Sequence, residues 1–144
     1  MQKLEHYIDD RGWLVEFVKS SRIGTIAQVK VINFKEPHIK RGGHYHKLKK
    51  EWVICVFGQC VVKLTDMKSG KQETFFLTKP YERLCIDPLV YHIFECKGES
   101  PCIVVVATDK EFKEEKPDTY YNVNELNNRS ALEVQSGINR PSHL

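Results

Sequence analysis

Turn signals cut this chain into short extended runs at nearly every junction, and that rhythm limits its fold more than any other property does. Ala27 to Phe34 alternates, is rich in β-branched residues and ends at Pro37. Glu51 to Phe57 reads as a buried strand, turned by Gly58-Gln59 into a second strand over Cys60 to Thr65. Asp66 to Gly70 is a hairpin loop, and Gln72 to Leu77 returns from it. Lys79 to Glu82 is another turn. Leu84 to Asp87 is a short strand stopped by Pro88, and strands over Tyr91 to Cys96 and Cys102 to Thr108 flank the turn at Gly98 to Pro101. Near the start, Asp9 to Gly12 is a turn. The alternation of Trp13, Val15 and Phe17 with Leu14, Glu16 and Val18 predicts a strand over Trp13 to Lys19, with Trp13 buried in it. No segment before residue 110 holds a helical period, and Lys110 to Lys116 has room for one helical turn at most. Roughly nine short, evenly spaced strands imply an all-β sandwich or barrel.

With 144 residues the chain is expected to form one domain, a barrel over residues 1–123, followed by a polar C-terminal tail over 124–144. Within that tail Asn127 to Val134 has the composition of a short helix. The net charge of +3 is too small to argue for a nucleic-acid partner, yet it would not repel an anionic substrate. Lys and Arg gather in residues 35–50, which serves equally as a solvated rim or as a phosphate-attracting patch. No run approaches the ~20 apolar residues of a membrane span, and residues 1–10 carry no apolar core of a signal peptide. The five cysteines form no C-x-x-C pair, and four of them sit in apolar runs. They read as reduced, buried thiols, so a cytoplasmic location without a membrane partner is expected.

Against this background one set of residues carries chemistry. His44 and His46 stand two apart, so on a strand both project from one face. Glu51 lies five residues further on, an odd step, and rejoins that face only if Lys47 to Lys50 forms a turn. His92 must arrive from a later strand, after the turn that Pro88 presets. Three imidazoles and a carboxylate suit Zn²⁺, Fe²⁺, Mn²⁺ or Ni²⁺. Without metal, the same groups can move protons.

These residues, His44-x-His46-x₄-Glu51 with Gly58 after it and then Pro88-x₃-His92, resemble the two motifs of the cupin superfamily. The resemblance spans about residues 8–108 and implies a small antiparallel jelly-roll β-barrel. Two departures stand out: no Gly lies six residues before His44, and none separates Pro88 from His92. A narrower likeness rests on Asp10-Arg11-Gly12, Arg41-Gly42-Gly43-His44-Tyr45-His46-Lys47 and Val90-Tyr91-His92. It is similar to the dTDP-sugar 3,4-ketoisomerases, in which the paired histidines serve as acid and base without a metal and Gln often stands where Glu51 stands here. The dTDP-4-dehydrorhamnose 3,5-epimerases share part of it. Glu51 and Lys116-Pro117-Asp118-Thr119-Tyr120 resemble instead the zinc cupin domain of a capsular-polysaccharide reductase acting on UDP-linked amino sugars.

The resemblance implies a cytoplasmic isomerase or epimerase of a nucleotide-linked 4-keto-6-deoxy sugar, feeding surface polysaccharide synthesis. His44 or His46 would remove a proton beside the carbonyl. Arg41, Arg11 and Tyr91 would bind substrate, Arg41 through a phosphate. If a divalent metal binds, zinc first among the choices, its ligands would be His44, His46, Glu51 and His92, with no organic cofactor. A homodimer is expected, with the N-terminal strand lent to a neighbour. Two other readings stay open at this level: a metal-dependent cupin dioxygenase, and a non-catalytic cupin that binds metal or sugar.

Overall fold

The computed structural model describes residues 1–121. The expected tail over 124–144 and the short helix within it lie outside the described residues. Twelve elements follow one another: β1 (Gln2–Lys3), β2 (His6–Asp9), β3 (Gly12–Val15), α1 (Ser20–Ile23), β4 (Gln28–Phe34), β5 (Lys40–His44), β6 (Glu51–Phe57), β7 (Gln59–Asp66), β8 (Gln72–Leu77), β9 (Glu82–Ile86), β10 (Val90–Lys97) and β11 (Cys102–Thr108). The expected bounds of β6, β8 and β11 match the structure residue for residue. All strand pairs are antiparallel. A five-stranded sheet ordered β1-β9-β6-β11-β4 packs on a four-stranded sheet ordered β5-β10-β7-β8.

Alternation explains why these two sheets close on each other. On β11, Cys102, Val104 and Val106 are buried, and opposite them on β4 stand Phe34, Ile32 and Lys30. On β10, His92, Phe94 and Cys96 pair with Leu64, Val62 and Cys60 of β7. The inner faces merge into one core cluster that includes Phe34, Val53, Val62, Leu77, Leu84, Phe94 and Val104. At roughly 1.5–3 kcal/mol for each large apolar side chain removed from water, this cluster supplies the main drive to fold. All five thiols are free, with Cys55, Cys60, Cys96 and Cys102 buried and Cys85 exposed.

The N-terminal part differs from the expected strand over Trp13 to Lys19. The strand stops at Val15, and the chain then makes a single helical turn, closed by Gly24 at a φ of 83°. Strands β2 and β3 pair only with each other, and neither joins the barrel sheets. Trp13 is therefore not buried but 49% exposed, because no second layer covers its ribbon. Lys110 to Lys116 forms no helical turn. Among the described residues no helix is long and apolar enough to cross a membrane.

Candidate active site and metal centre

The site begins with a backbone irregularity. Arg41 pairs with Phe94 and Gly42 with Ile93, but His44, not Gly43, pairs with His92. One extra residue is thus inserted into β5, a β-bulge that restores the parity lost over the odd step from Arg41 to His44. Both side chains now face inward. The bulge needs glycine: Gly42 and Gly43 have φ of 85° and 75°, and a Cβ on Gly42 would lie 2.8 Å from the His92 carbonyl oxygen.

Beyond β5 the chain keeps His46 on the same side, with the His44 and His46 ring centroids 5.0 Å apart. The loop at Lys47 to Lys50 then turns as the odd spacing to Glu51 requires. The carboxylate of Asp118 accepts backbone N–H bonds from Lys47, Leu48 and Lys49 at 2.9, 2.9 and 3.0 Å. Asp109 accepts the Lys50 N–H at 2.9 Å. Glu51 opens β6 on the inner face. The turn at Pro88 is tied to the same loop, since the Leu89 N–H donates to the His46 carbonyl at 2.6 Å.

His44, His46 and His92 converge, each offering a ring nitrogen within 4.8 Å of the others. Glu51 bridges two of them: its Oε1 lies 3.3 Å from His46 Nε2 and its Oε2 3.4 Å from His92 Nε2. The far nitrogens of both rings are anchored on backbone carbonyls, His46 Nδ1 on Asp118 at 2.5 Å and His92 Nδ1 on Val90 at 3.1 Å. A carbonyl only accepts, so each Nδ1 carries the proton. In the neutral rings both Nε2 lone pairs then face the oxygens of one carboxylate. These are acceptors turned toward acceptors in a buried site, and the buried Nε2 of His46 has no hydrogen-bond partner. Such an arrangement calls for a cation between the groups. The donor set fits a divalent metal, and the carbonyl anchors are those that orient metal-ligating imidazoles.

The electrostatics agree. Burial, reinforced by His92 and His46, lowers the pKa of His44 to about 2. Burial also lowers His92, despite the opposing pull of Glu51. For Glu51 burial pushes the pKa up, but His92 and His46 outweigh it and hold the carboxyl below the ordinary range. The result is neutral His44 and His92 rings beside an ionised carboxylate.

Of the other residues singled out in the sequence, Arg41 faces the barrel interior but lies over Phe34, which pairs with Cys102 and not with the strand ends that carry Glu51. Its guanidinium lies 5.6 Å from the centroid of Phe34, and its buried Nε has no hydrogen-bond partner. Tyr91 is buried next to His92, but strand alternation turns it to the opposite face. Arg11 is not brought to the cluster: it sits exposed at the β2–β3 turn, paired with Asp9. Tyr45 stacks on Tyr120 at 5.6 Å between centroids. Lys30 and Lys49, near the site, were not singled out by pattern, while Asp118, with Tyr121 close behind it, entered only through the Lys116-Pro117-Asp118-Thr119-Tyr120 likeness and without a role. Lys30 carried a legible signal, since it shares the parity of Ile32 and Phe34. Lys49, 2% exposed, carried none. A cleft of about 490 Å³ opens between β8 and β9, but none of the three histidines nor Glu51 lines it.

The family of the polysaccharide biosynthesis C-terminal domain matches residues 7–120. This chain belongs to that family. No curated protein sequence matches it. Among solved structures it is similar to the 3,4-ketoisomerase QdtA from Thermoanaerobacterium thermosaccharolyticum, a variant of which was captured with TDP-4-keto-6-deoxyglucose. The identity is 23% over 90% of this chain and 91% of that one, with a TM-score of 0.73. The TDP-quinovose 3,4-ketoisomerase WlaRB from Campylobacter jejuni is 22% identical over 85% of this chain and 92% of that one, at a TM-score of 0.72. The capsular polysaccharide assembling protein CapF from Staphylococcus aureus is 26% identical over 84% of this chain but only 33% of its own length, at a TM-score of 0.62. The expected all-β jelly-roll architecture and its sugar-nucleotide relatives are both borne out.

Proposed function

We propose that this protein is an isomerase of a nucleotide-linked 4-keto-6-deoxy sugar in polysaccharide biosynthesis. The observation that carries the reading is the convergence of His44, His46, His92 and Glu51 inside a barrel whose family and structural neighbours belong to that chemistry. A 4-keto sugar has acidic C–H bonds beside its carbonyl. Removing one proton and returning it elsewhere moves the keto group or inverts a centre.

The unequal anchoring of the rings supports a division of labour. His46 and His92 are pinned by backbone carbonyls and share Glu51. These three and His44 would hold a divalent metal, for which zinc suits the donors best, and such an ion would polarise a carbonyl oxygen. His44 moves the proton: its ring is neutral at pH 7, so its lone pair is available. A neutral imidazole held so far below its ordinary pKa is a weak base, so the site must also make the sugar C–H more acidic by stabilising the oxygen that gains charge. Arg41 binds a phosphate of the nucleotide, for which its planar fork and unpartnered Nε are suited.

We also infer a homodimer in the cytoplasm. Tyr7, Ile8, Trp13 and Leu14 are exposed on the β2–β3 ribbon. A second copy that received this ribbon would cover them and bring Arg11 near a neighbouring barrel. Native mass of the purified protein tests this directly, and a monomer at micromolar concentration removes it.

The function itself is tested by incubating the protein with TDP-4-keto-6-deoxyglucose in D₂O. Deuterium entering the carbon beside the carbonyl, with a keto group appearing at C3, is the expected result. Full retention of protium with this substrate and its UDP counterpart would overturn the reading.

A further inference from the structure

The edge strands β4 and β5 come from different sheets and lie at the same side of the sandwich, joined by the short connection through Pro37. Lys30 is on the inner face of β4. Its cross-strand partner is Val106, a core residue, while its neighbours Val29 and Val31 point outward and are exposed. An amine in the Ile32–Phe34 row is out of place for packing alone. On β5 the inward residues are Arg41 and His44. Arg41 lies over Phe34, which belongs to the same row as Lys30. Two cations from opposite sheets therefore stand along one seam, Lys30 toward its Glu51 end and Arg41 over Phe34.

The register brings this amine to the polar end of the barrel. Lys30 pairs with Val106 of β11, Val106 pairs with Val53 of β6, and Glu51 precedes Val53 on the same inner face, so Lys30 stands one pleat from the row that carries Glu51.

We propose that Lys30 is a catalytic residue that touches the substrate: its ammonium binds the carbonyl oxygen of the keto sugar, with Arg41 across the seam on the phosphate. The inference deepens the function proposed above and rests on it. As His44 takes the α-proton, the C–H electron pair becomes the new C=C bond and the C=O π pair moves onto oxygen. Lys30 meets that negative charge with a donated hydrogen bond. The C3 hydroxyl proton then passes to the C4 oxygen, the pair it leaves on oxygen forms the new C3=O bond, and the C=C pair takes the proton back from the imidazole at C4, so nothing is oxidised or reduced overall and no co-reactant is needed.

The test uses the full chain, Lys30→Met and Lys30→Arg, with TDP-4-keto-6-deoxyglucose and TDP as probes. Lys30→Met is expected to slow deuterium exchange by ~10²–10³-fold, the loss typical of one oxyanion donor. Affinity for TDP and metal content should stay at the wild-type level, and Lys30→Arg should retain more exchange than Lys30→Met. Exchange by Lys30→Met at the wild-type rate overturns the proposal and leaves the isomerase reading standing. Loss of metal in step with exchange also overturns it, because Lys30 would then act only through Glu51. A wild-type protein that neither binds nor exchanges the keto sugar removes the isomerase reading, and the role of Lys30 goes with it.

Discussion

The two ends of the barrel are built on the same strands yet follow opposite rules. Along the inner face of β6 stand Glu51, Val53 and Cys55; along β10, His92, Phe94 and Cys96. Each series runs from ionisable, through apolar, to thiol. At the thiol end Cys55, Cys60, Cys96 and Cys102 pack as small hydrophobes. The hydrogen bond between the Cys55 and Cys102 thiols and their burial push the Cys55 pKa up, so that end carries no charge. At the other end a carboxylate and three imidazoles are equally buried, and two of the rings are held by backbone carbonyls, His46 by Asp118 outside the barrel strands and His92 by Val90 at the start of β10. One end is stable because it is apolar. The other keeps polar groups buried that cost stability unless a cation or ligand joins them.

The sharpest way to break this contrast is Glu51→Gln, which keeps shape and removes charge. Metal content should fall to near zero, and deuterium exchange by at least about 10²-fold. Yet the metal-free variant should melt no lower than the metal-free wild type, because the new amide can donate to the lone pair on His46 or His92 Nε2. A metal-free variant that melts well below wild type would mean that Glu51 is a structural group. Leu77→Ala probes the opposite end. Leu77 is fully buried in the core cluster, so the substitution should cost about 2–5 kcal/mol in urea unfolding. Metal content of the protein that remains folded should not change. Loss of metal with Leu77→Ala would show that the two ends are not independent.

Much of the apolar end was legible in the sequence, because alternation with period two states both the strand and its inner face. Val53 and Cys55 share the parity of Glu51 and line the inside as that parity implies, whereas Phe57 shares it too but is exposed at the strand's end. Cys102 to Thr108 is apolar throughout, so its inner face needed the partner strands. The ligand set was legible for the same reason, once the odd step to Glu51 demanded a turn. What stayed hidden was what arrives from far along the chain. Asp118 reaches back 72 residues to hold His46, and no local periodicity announces a carbonyl anchor. The bulge at Gly42-Gly43 was visible only as two glycines. Its effect, to put Arg41 and His44 on one face, needs the partner strand. Trp13 misled because alternation says that one face is covered, not by which molecule.

The strap through Asp118 gives a finer cut between the ends. Asp118→Ala leaves the barrel core untouched but frees three backbone N–H groups of the loop that carries His46 toward Glu51. Loss of such an outer support typically lowers metal affinity by ~10–100-fold. The check is competition with a chelator, with thermal melting of the metal-free protein as control. Unchanged affinity would mean that the bulge alone positions the ring.

The smallest effect is set by pH, and its sign follows from the direction of the shifts. His44 and His92 have folded pKa values below the ordinary value of 6.5, so the native metal-free protein binds fewer protons than the unfolded chain. Stability then rises with pH wherever the unfolded state holds those protons and the native state does not. The contribution of both rings is complete above about pH 6.5 and is lost progressively as pH falls. Each imidazole supplies a slope of about 1.4 kcal/mol per pH unit in that range. Glu51 adds to the loss only below its ordinary pKa of 4.5, where the unfolded carboxyl takes up its proton. Urea midpoints of the metal-free protein should therefore fall between pH 7 and pH 5, before any carboxylate contributes. His44→Phe should reduce that fall by roughly half, because one of the two titrating rings is gone. An unaltered slope in His44→Phe would place the acid sensitivity elsewhere in the molecule and would end the claim that the polar end is the one held against its own titration.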